Sequence, residues 1–173
     1  TGQSDDSTLV NSLKKLVDVS YTQQSRLEMT SSVSTVYAEK LVKNSVTNVG
    51  NALSGRLPGL TVIQQSGEPG SDLASLFIRG RNTYNDNSPL ILVDGFETDF
   101  QQISLYEIES ISVLKDAAAL ALYGLKGANG AILVTTKRGM EGDPKITLNL
   151  YGGVQQPQDK PELLNSYQYA QLY

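Results

Sequence analysis

The stretch from Ile108 to Gly139 limits the possible folds more than any other part of the chain. Its first part, Ile108 to Leu114, is apolar and partly β-branched, which predicts a strand. Asp116 stands where an N-cap would, ahead of a short alanine-rich helix that Gly124 is expected to end, because glycine enters the left-handed region without steric cost. Ala131 to Val134 begins a second strand. The sequence therefore predicts a rigid strand–helix–strand unit, and nothing in it indicates catalysis.

Three more apolar segments bounded by turn residues predict further strands, namely Leu60 to Gln64, Leu73 to Arg79 and Pro89 to Val93. The last of these is continuously apolar, as expected for a strand that is buried on both faces. A helix is predicted over Ser45 to Leu53, with Ser45 or Thr47 as its cap. Together these elements predict a core of about four strands interleaved with short helices, that is, a small α/β or α+β domain.

The composition narrows the possible functions. The chain has 173 residues, enough for one domain with a substantial core. Its formal net charge of −4 and its scattered basic residues argue against a nucleic-acid partner, which requires clustered lysine and arginine. Cysteine and histidine are both absent, so disulfides, thiol catalysis and the commonest general base and metal ligand are excluded. We therefore expect neither an enzyme nor a cofactor.

Two segments outside the predicted core allow alternative interpretations. Lys15 to Tyr21 is apolar-rich and extended, and it predicts either an ordinary edge strand or a peptide that adds to the sheet edge of another protein. Lys145 to Tyr151 alternates strictly between apolar and polar residues. It predicts either a half-exposed strand of a soluble sheet or the first strand of a membrane barrel.

Charged residues stand at the ends of the predicted strands, at Arg79, Asp94, Lys115 and Arg138. Each alone is typical of a solvated strand end, and together they could lie along the border where the domain meets a charged surface. The polar loop from Arg81 to Ser88 is rich in residues that bond their own backbone in turns. It lacks the spacing of an EF-hand, so a turn is favoured over a calcium site.

A set of short motifs stands out along the chain: Ile78-Arg79-Gly80, Pro89 through Gly95, Ile108 through Ala119, Tyr123-Gly124, Ala128-Asn129-Gly130 and Thr135 through Gly139. These motifs resemble the plug domain of TonB-dependent outer-membrane transporters, and more narrowly the SusC/RagA-like branch of the Bacteroidota. The resemblance covers most of the chain from Val17 to Tyr173. It implies an α+β fold, a small mixed β-sheet of about four strands with short helices, followed by one amphipathic strand of a β-barrel. It also implies that this plug blocks the lumen of the barrel until TonB pulls on a segment N-terminal to it.

The resemblance implies three parts: an N-terminal segment at 1–29 with a TonB-box-like stretch at 16–21, a plug domain at 30–139, and a linker with the start of the barrel at 140–173. It also implies the partners, which are the TonB C-terminal domain, a SusD-like surface lipoprotein, the protein's own β-barrel and a glycan or peptide substrate. The location implied is the outer membrane of a Gram-negative bacterium, with the N-terminus periplasmic. The alternative is a soluble periplasmic binding or signalling module that uses the plug fold.

Site residues follow from the same resemblance. Contact with TonB is expected at Leu16, Val17, Asp18 and Val19, although Asp18 interrupts the valine run that is typical of the family. Contact between plug and barrel is expected at Arg79, Asp94, Lys115, Lys137 and Arg138. The loop expected to face the substrate carries Arg81, Asn82, Tyr84, Asn85 and Asp86. No catalytic or metal-binding residue is implied.

Overall fold

The computed structural model describes most of the chain between Leu16 and Gly139, together with shorter stretches beyond it. The described residues are 16–19, 22–25, 29–41, 48–68, 70, 72–99, 103–139, 141–142, 146, 148, 150, 152–154 and 164–172. No helix within these ranges has both the length and the apolar character needed to cross a membrane.

The described residues form nine strands. They are β1 Leu16–Val19, β2 Thr22–Ser25, β3 Val33–Tyr37, β4 Leu60–Gln64, β5 Ala74–Ile78, β6 Leu90–Val93, β7 Phe96–Glu97, β8 Ile108–Leu114 and β9 Ala131–Thr136. The central sheet has the order β3-β8-β9-β6-β7, while β1-β2 and β4-β5 form separate antiparallel pairs. Within the central sheet β6 and β9 are parallel and the other neighbours are antiparallel. This mixed sheet confirms the predicted α+β class, with five strands in place of about four.

Helices in the described residues are short. They are α1 Ala38–Leu41, α2 Val49–Ala52, α3 Ala117–Leu120, a 3₁₀ segment at Ala121–Gly127, and α4 Ser166–Leu172. The cap of α2 is Asn48, whose Oδ1 accepts from the Gly50 N–H at 2.9 Å. The predicted caps Ser45 and Thr47 lie outside the described residues.

The predicted helix after β8 differs from the structure in two details. Asp116 does occupy the N-cap of α3 with extended backbone, but its carboxylate makes no capping hydrogen bond. The helical stretch does stop at Gly124, as predicted, because the φ of +57° and ψ of −140° there are not helical, but only Ala117–Leu120 is α-helix and the turns on either side of Gly124 are 3₁₀. The glycine kinks the helical segment there, since its φ value is one that other residues rarely adopt.

Apolar residues cover both faces of the central sheet. One core lies beneath α1, α2 and the β4-β5 hairpin, and its fully buried members include Leu41, Leu53, Ile108, Ile111, Val113 and Ile132. The other core lies beneath β1 and α3 and includes Val17, Val19, Leu90, Leu92, Leu114, Ala131 and Leu133. Burial on both faces explains the continuous apolar runs in β6 and β9, because alternate side chains enter opposite cores.

The tertiary structure places β4 and β5 outside the central sheet. These two segments, predicted as core strands, pair only with each other in register from Leu60↔Ile78 to Gln64↔Ala74. Their hairpin packs on one face of the sheet, with Leu76 and Ile78 reaching the core. The two edges of the central sheet are formed by β3 and β7.

Candidate functional site

The loop between β5 and β6, residues 81–88, is held together by its own side chains. Asn87 accepts at Oδ1 from the Asn82 and Thr83 N–H groups, at 2.8 and 2.9 Å, and donates from Nδ2 to the Thr83 and Asn85 carbonyls. The Asp86 carboxylate accepts from the Ser88 N–H at 2.8 Å, and this hydrogen bond lowers the pKa of Asp86 below its ordinary range. The loop is therefore preorganised even though its residues are largely exposed.

A shallow concavity of about 720 Å³ is lined by Phe77 and the loop residues. The Arg81 guanidinium carbon lies 4.9 Å from the centre of the Phe77 ring, a cation–π arrangement that fixes the first side chain of the loop. Tyr84 is fully exposed. Asn129 donates from Nδ2 to the Asp86 carbonyl at 2.9 Å and so connects the loop to the turn before β9. The predicted loop residues are thus brought together on one surface.

Two of the predicted charged residues, Arg79 and Lys115, line a second open concavity of about 450 Å³. Lys115 donates from Nζ to Ser34 Oγ at 2.6 Å and to the Pro58 carbonyl at 2.9 Å. The pKa of Lys115 is lowered from its ordinary value, mainly because the side chain is partly buried and also because the positive charge of Arg79 is near. Neither cation forms a salt bridge with any described residue. Arg79 also has a left-handed backbone, with φ +58°.

The other predicted charged residues lie at the opposite end of the central sheet. Asp94 accepts from the Thr136 N–H at 3.0 Å and from Thr136 Oγ1 at 2.6 Å. Lys137 donates from Nζ to the Tyr106 carbonyl at 2.7 Å. Arg138 is exposed. Asp94 and Lys137 therefore use their polar groups within this domain, and their contact with a barrel stays a prediction.

The TonB-box-like stretch forms β1 and pairs with β2 from Leu16↔Ser25 to Val19↔Thr22. Val17 and Val19 are 4% and 7% exposed and belong to the second core, whereas Leu16 is 55% exposed. The stretch therefore has the form of a half-buried strand in this structure. The last two residues of the stretch, Ser20 and Tyr21, lie outside the described residues, so β1 covers only 16–19 of it.

In the second predicted segment outside the core, the described residues are Ile146, Leu148 and Leu150. They are strongly exposed, at 94%, 78% and 86%. The intervening positions lie outside the described residues, so the strand over Lys145 to Tyr151 stays a prediction.

Sequence reasoning did not identify Asn87, Asn129 or Thr136 as structural contacts. Asn87 carried a weak signal, because asparagine in a polar turn commonly bonds nearby backbone. Asn129 and Thr136 carried none, since their partners are 43 and 42 residues away. Among the described residues, no group of acidic side chains is arranged to hold a metal ion.

Comparisons with known proteins identify the family of this fold. The TonB-dependent receptor plug domain family matches residues 25–131. TonB-dependent receptor P26 of Formosa agariphila is 39% identical over 163 residues, covering 90% of this chain and 16% of the relative. TonB-dependent receptor SusC of Bacteroides thetaiotaomicron is 34% identical over 169 residues, covering 91% of this chain and 17% of the relative.

A solved structure gives the same result. The RagAB peptide importer in its open-open state superposes with a TM-score of 0.66 at 34% identity, covering 75% of this chain and 15% of that chain. This chain thus spans about a sixth of the curated relatives it matches, at 16% and 17% of their lengths. The chain therefore belongs to the TonB-dependent receptor plug domain family, among SusC-like and RagA-like receptors.

Proposed function

We propose that this chain is the plug of a SusC-like TonB-dependent importer in the outer membrane, where it obstructs a barrel formed by another part of the same protein. The importer takes up glycans or peptides together with a SusD-like lipoprotein. The observation that carries the proposal is the plug family match over 25–131. This range contains most of the central sheet and most residues of each of the two cores. A plug needs such a doubly covered sheet, because it must keep its shape while a neighbouring segment is pulled.

The cationic surface of Arg79 and Lys115 supports a charged contact with the barrel wall. The concavity lined by Arg79, Lys115 and Asp116 keeps a net positive charge, and neither cation forms a salt bridge with a described residue. Carboxylates on the inner wall of the barrel would compensate it. Arg138, at the exit of the plug, extends the same proposal. Contacts of this kind are hydrated, so they can hold a plug and still release it.

The β1 strand is the proposed contact for the TonB C-terminal domain. Among the described residues β1 pairs with β2 in a short antiparallel hairpin. A short extended segment of this kind can add to the sheet edge of another protein through main-chain hydrogen bonds. Because Val19 is buried, a proline there would also disturb packing, and the exposed Leu16 is the better position for a test. In the full-length receptor we expect Leu16→Pro to abolish TonB-dependent uptake and Leu16→Ala to retain it. Equal uptake by both variants would reject β1 as the contact.

The polar loop is the proposed substrate-facing surface. The N–H groups of Asn82, Thr83, Asn85 and Ser88 are already bound by loop side chains, so they are not available to pair with an extended peptide. The ring of Tyr84 remains exposed beside the carboxamides. This surface would read a ligand through aromatic and amide side chains, which suits a hydroxyl-rich glycan. The structurally similar RagAB, by contrast, is described as a peptide importer.

One experiment tests the import function directly. In the source organism, removal of residues 30–139 from the full-length receptor should leave the outer membrane permeable to a large antibiotic, while the intact receptor keeps it closed. In cells that carry the intact receptor, uptake of oligosaccharides and uptake of peptides are then each measured with and without TonB. A receptor that imports neither, or imports equally without TonB, would reject the proposal. Recovery of the full-length protein from the soluble periplasm would instead favour a binding module.

A further inference from the structure

The turn between β6 and β7 places an acidic side chain against the end of β9. Asp94 and Gly95 have φ values of +49° and +91°, and they connect the paired residues Val93 and Phe96. Two consecutive left-handed residues are the requirement of a tight type I′ hairpin turn. Asp-Gly is one of the residue pairs that this turn prefers, so the turn itself brings the Asp94 carboxylate to the end of β6.

Asp94 makes three hydrogen bonds with β9 in addition to its place in the turn. Its N–H donates to the Val134 carbonyl at 2.9 Å, its Oδ1 accepts from the Thr136 N–H at 3.0 Å, and its Oδ2 accepts from Thr136 Oγ1 at 2.6 Å. The backbone pairing of β6 with β9 ends at Val93↔Val134, because the chain turns away at Asp94. The carboxylate therefore continues the pairing to the last residue of β9. We call these contacts the Asp94–Thr136 clamp.

The end of β9 is held from its other side as well. Thr136 lies opposite Ile108 of β8, the Lys137 N–H donates to the Glu107 carbonyl at 2.8 Å, and the Lys137 Nζ donates to the Tyr106 carbonyl at 2.7 Å. The chain thus leaves the sheet between two sets of hydrogen bonds. After Thr136 it continues into Lys137 and Arg138, where the proposed function places the passage from plug to barrel.

We propose that Asp94 is a positioning residue that secures this exit while the plug is under tension. The inference rests on the proposed function, in which TonB pulls the N-terminal side and the barrel holds the C-terminal side. Force then enters the plug at its two chain ends, so the hydrogen bonds nearest the exit bear the load from the barrel side first. A charge-assisted clamp at that place keeps β9 from peeling away, and the obstruction is retained while β1 is displaced.

The clamp is tested by hydrogen exchange in the full-length receptor. Asp94→Gly suits the turn and removes the carboxylate, whereas Asp94→Asn keeps an acceptor for the Thr136 N–H. Glu97→Gln is the matched control, because Glu97 lies in the same hairpin but its carboxylate pairs with Lys126 and not with β9. We expect exchange of the Thr136 and Lys137 amides to accelerate about tenfold or more in Asp94→Gly, the loss expected for a charge-assisted bond. The acceleration should be smaller in Asp94→Asn, which loses the charge but keeps an acceptor, and exchange should change little in Glu97→Gln. Unchanged exchange in Asp94→Gly would overturn the clamp.

The load-bearing role needs a readout that a purely structural contact would not change. Entry of a large antibiotic is measured in cells with and without TonB. We expect the Asp94→Gly receptor to leak when TonB is present, to stay closed without it, and to bind substrate as the wild type does. Equal leakage with and without TonB would overturn the role under tension. If the wild-type receptor shows no TonB-dependent uptake, the proposed function fails and this role with it, whereas the exchange data still judge the clamp.

Discussion

The packing of Gly130 against Ile78 yields a prediction whose size follows from the structure. Gly130, in the turn before β9, has φ +93°, and a Cβ added there would lie 2.7 Å from Ile78 Cδ1 and 3.0 Å from Ile78 Cβ. A rotamer change can move the first of these atoms but not the second, so β5 itself must shift. We expect Gly130→Ala to cost about 1–2 kcal/mol for the backbone and about 1–3 kcal/mol for overpacking.

Gly80→Ala is the matched control, because Gly80 has φ +92° and nothing lies within 4 Å of the Cβ that would be added. It should show only the backbone cost, so the difference between the variants isolates the contact with Ile78. Urea unfolding followed by tyrosine fluorescence measures both. With an m-value of about 2 kcal/mol per molar, the midpoint of Gly130→Ala should fall about 0.5–1.5 M below that of Gly80→Ala. Equal midpoints would refute the packing of the β4-β5 hairpin against this turn.

The remaining predictions concern the two concavities. Asn87→Ala should increase amide exchange across the loop several-fold, as seen by exchange mass spectrometry, because Asn87 binds both N–H and carbonyl groups there; unaltered exchange would mean that the loop is ordered by other contacts. The hydrogen bond from the Ser88 N–H lowers the pKa of Asp86 from 3.8, so its stabilising effect should be present above that pH and disappear as the pH falls through the lowered value. Asp86→Asn should remove this acid dependence from an unfolding series. Burial and Arg79 lower the pKa of Lys115 from 10.5, so the unfolded chain binds more protons in that range and stability should rise as the pH approaches 10.5. Lys115→Met should lack this rise, and an identical alkaline profile would contradict the assignment.

Local signals were sufficient where an element is defined by its own residues. The strands at 108–114 and 131–136 were predictable because apolar, β-branched runs bounded by turn residues carry that information within a few positions. The short helix between them was predictable in kind, from its alanines and its N-cap. Its interruption at Gly124 was predictable too, because glycine adopts a positive φ there, but the further 3₁₀ turn that follows Gly124 was not.

The functional surfaces were only partly predictable. The loop at 81–88 was identified by its turn residues, but its order depends on the central position of Asn87, which composition does not specify. Asp94 was identified as a charge at a strand end, and its partner Thr136 was not. Their contact spans 42 residues and exists only because β6 and β9 become parallel neighbours.

The amino-acid order alone established the family, the mixed α+β class, the rigid unit from Ile108 to Gly139 and the absence of histidine and cysteine chemistry. These properties follow from residue types and short-range periodicity. The tertiary structure decided which strands share the central sheet, that Val17 and Val19 are buried in a core, and that Asp94 hydrogen-bonds with Thr136. Each of these depends on contacts between segments far apart in the chain, and such contacts form only when the whole sheet is assembled.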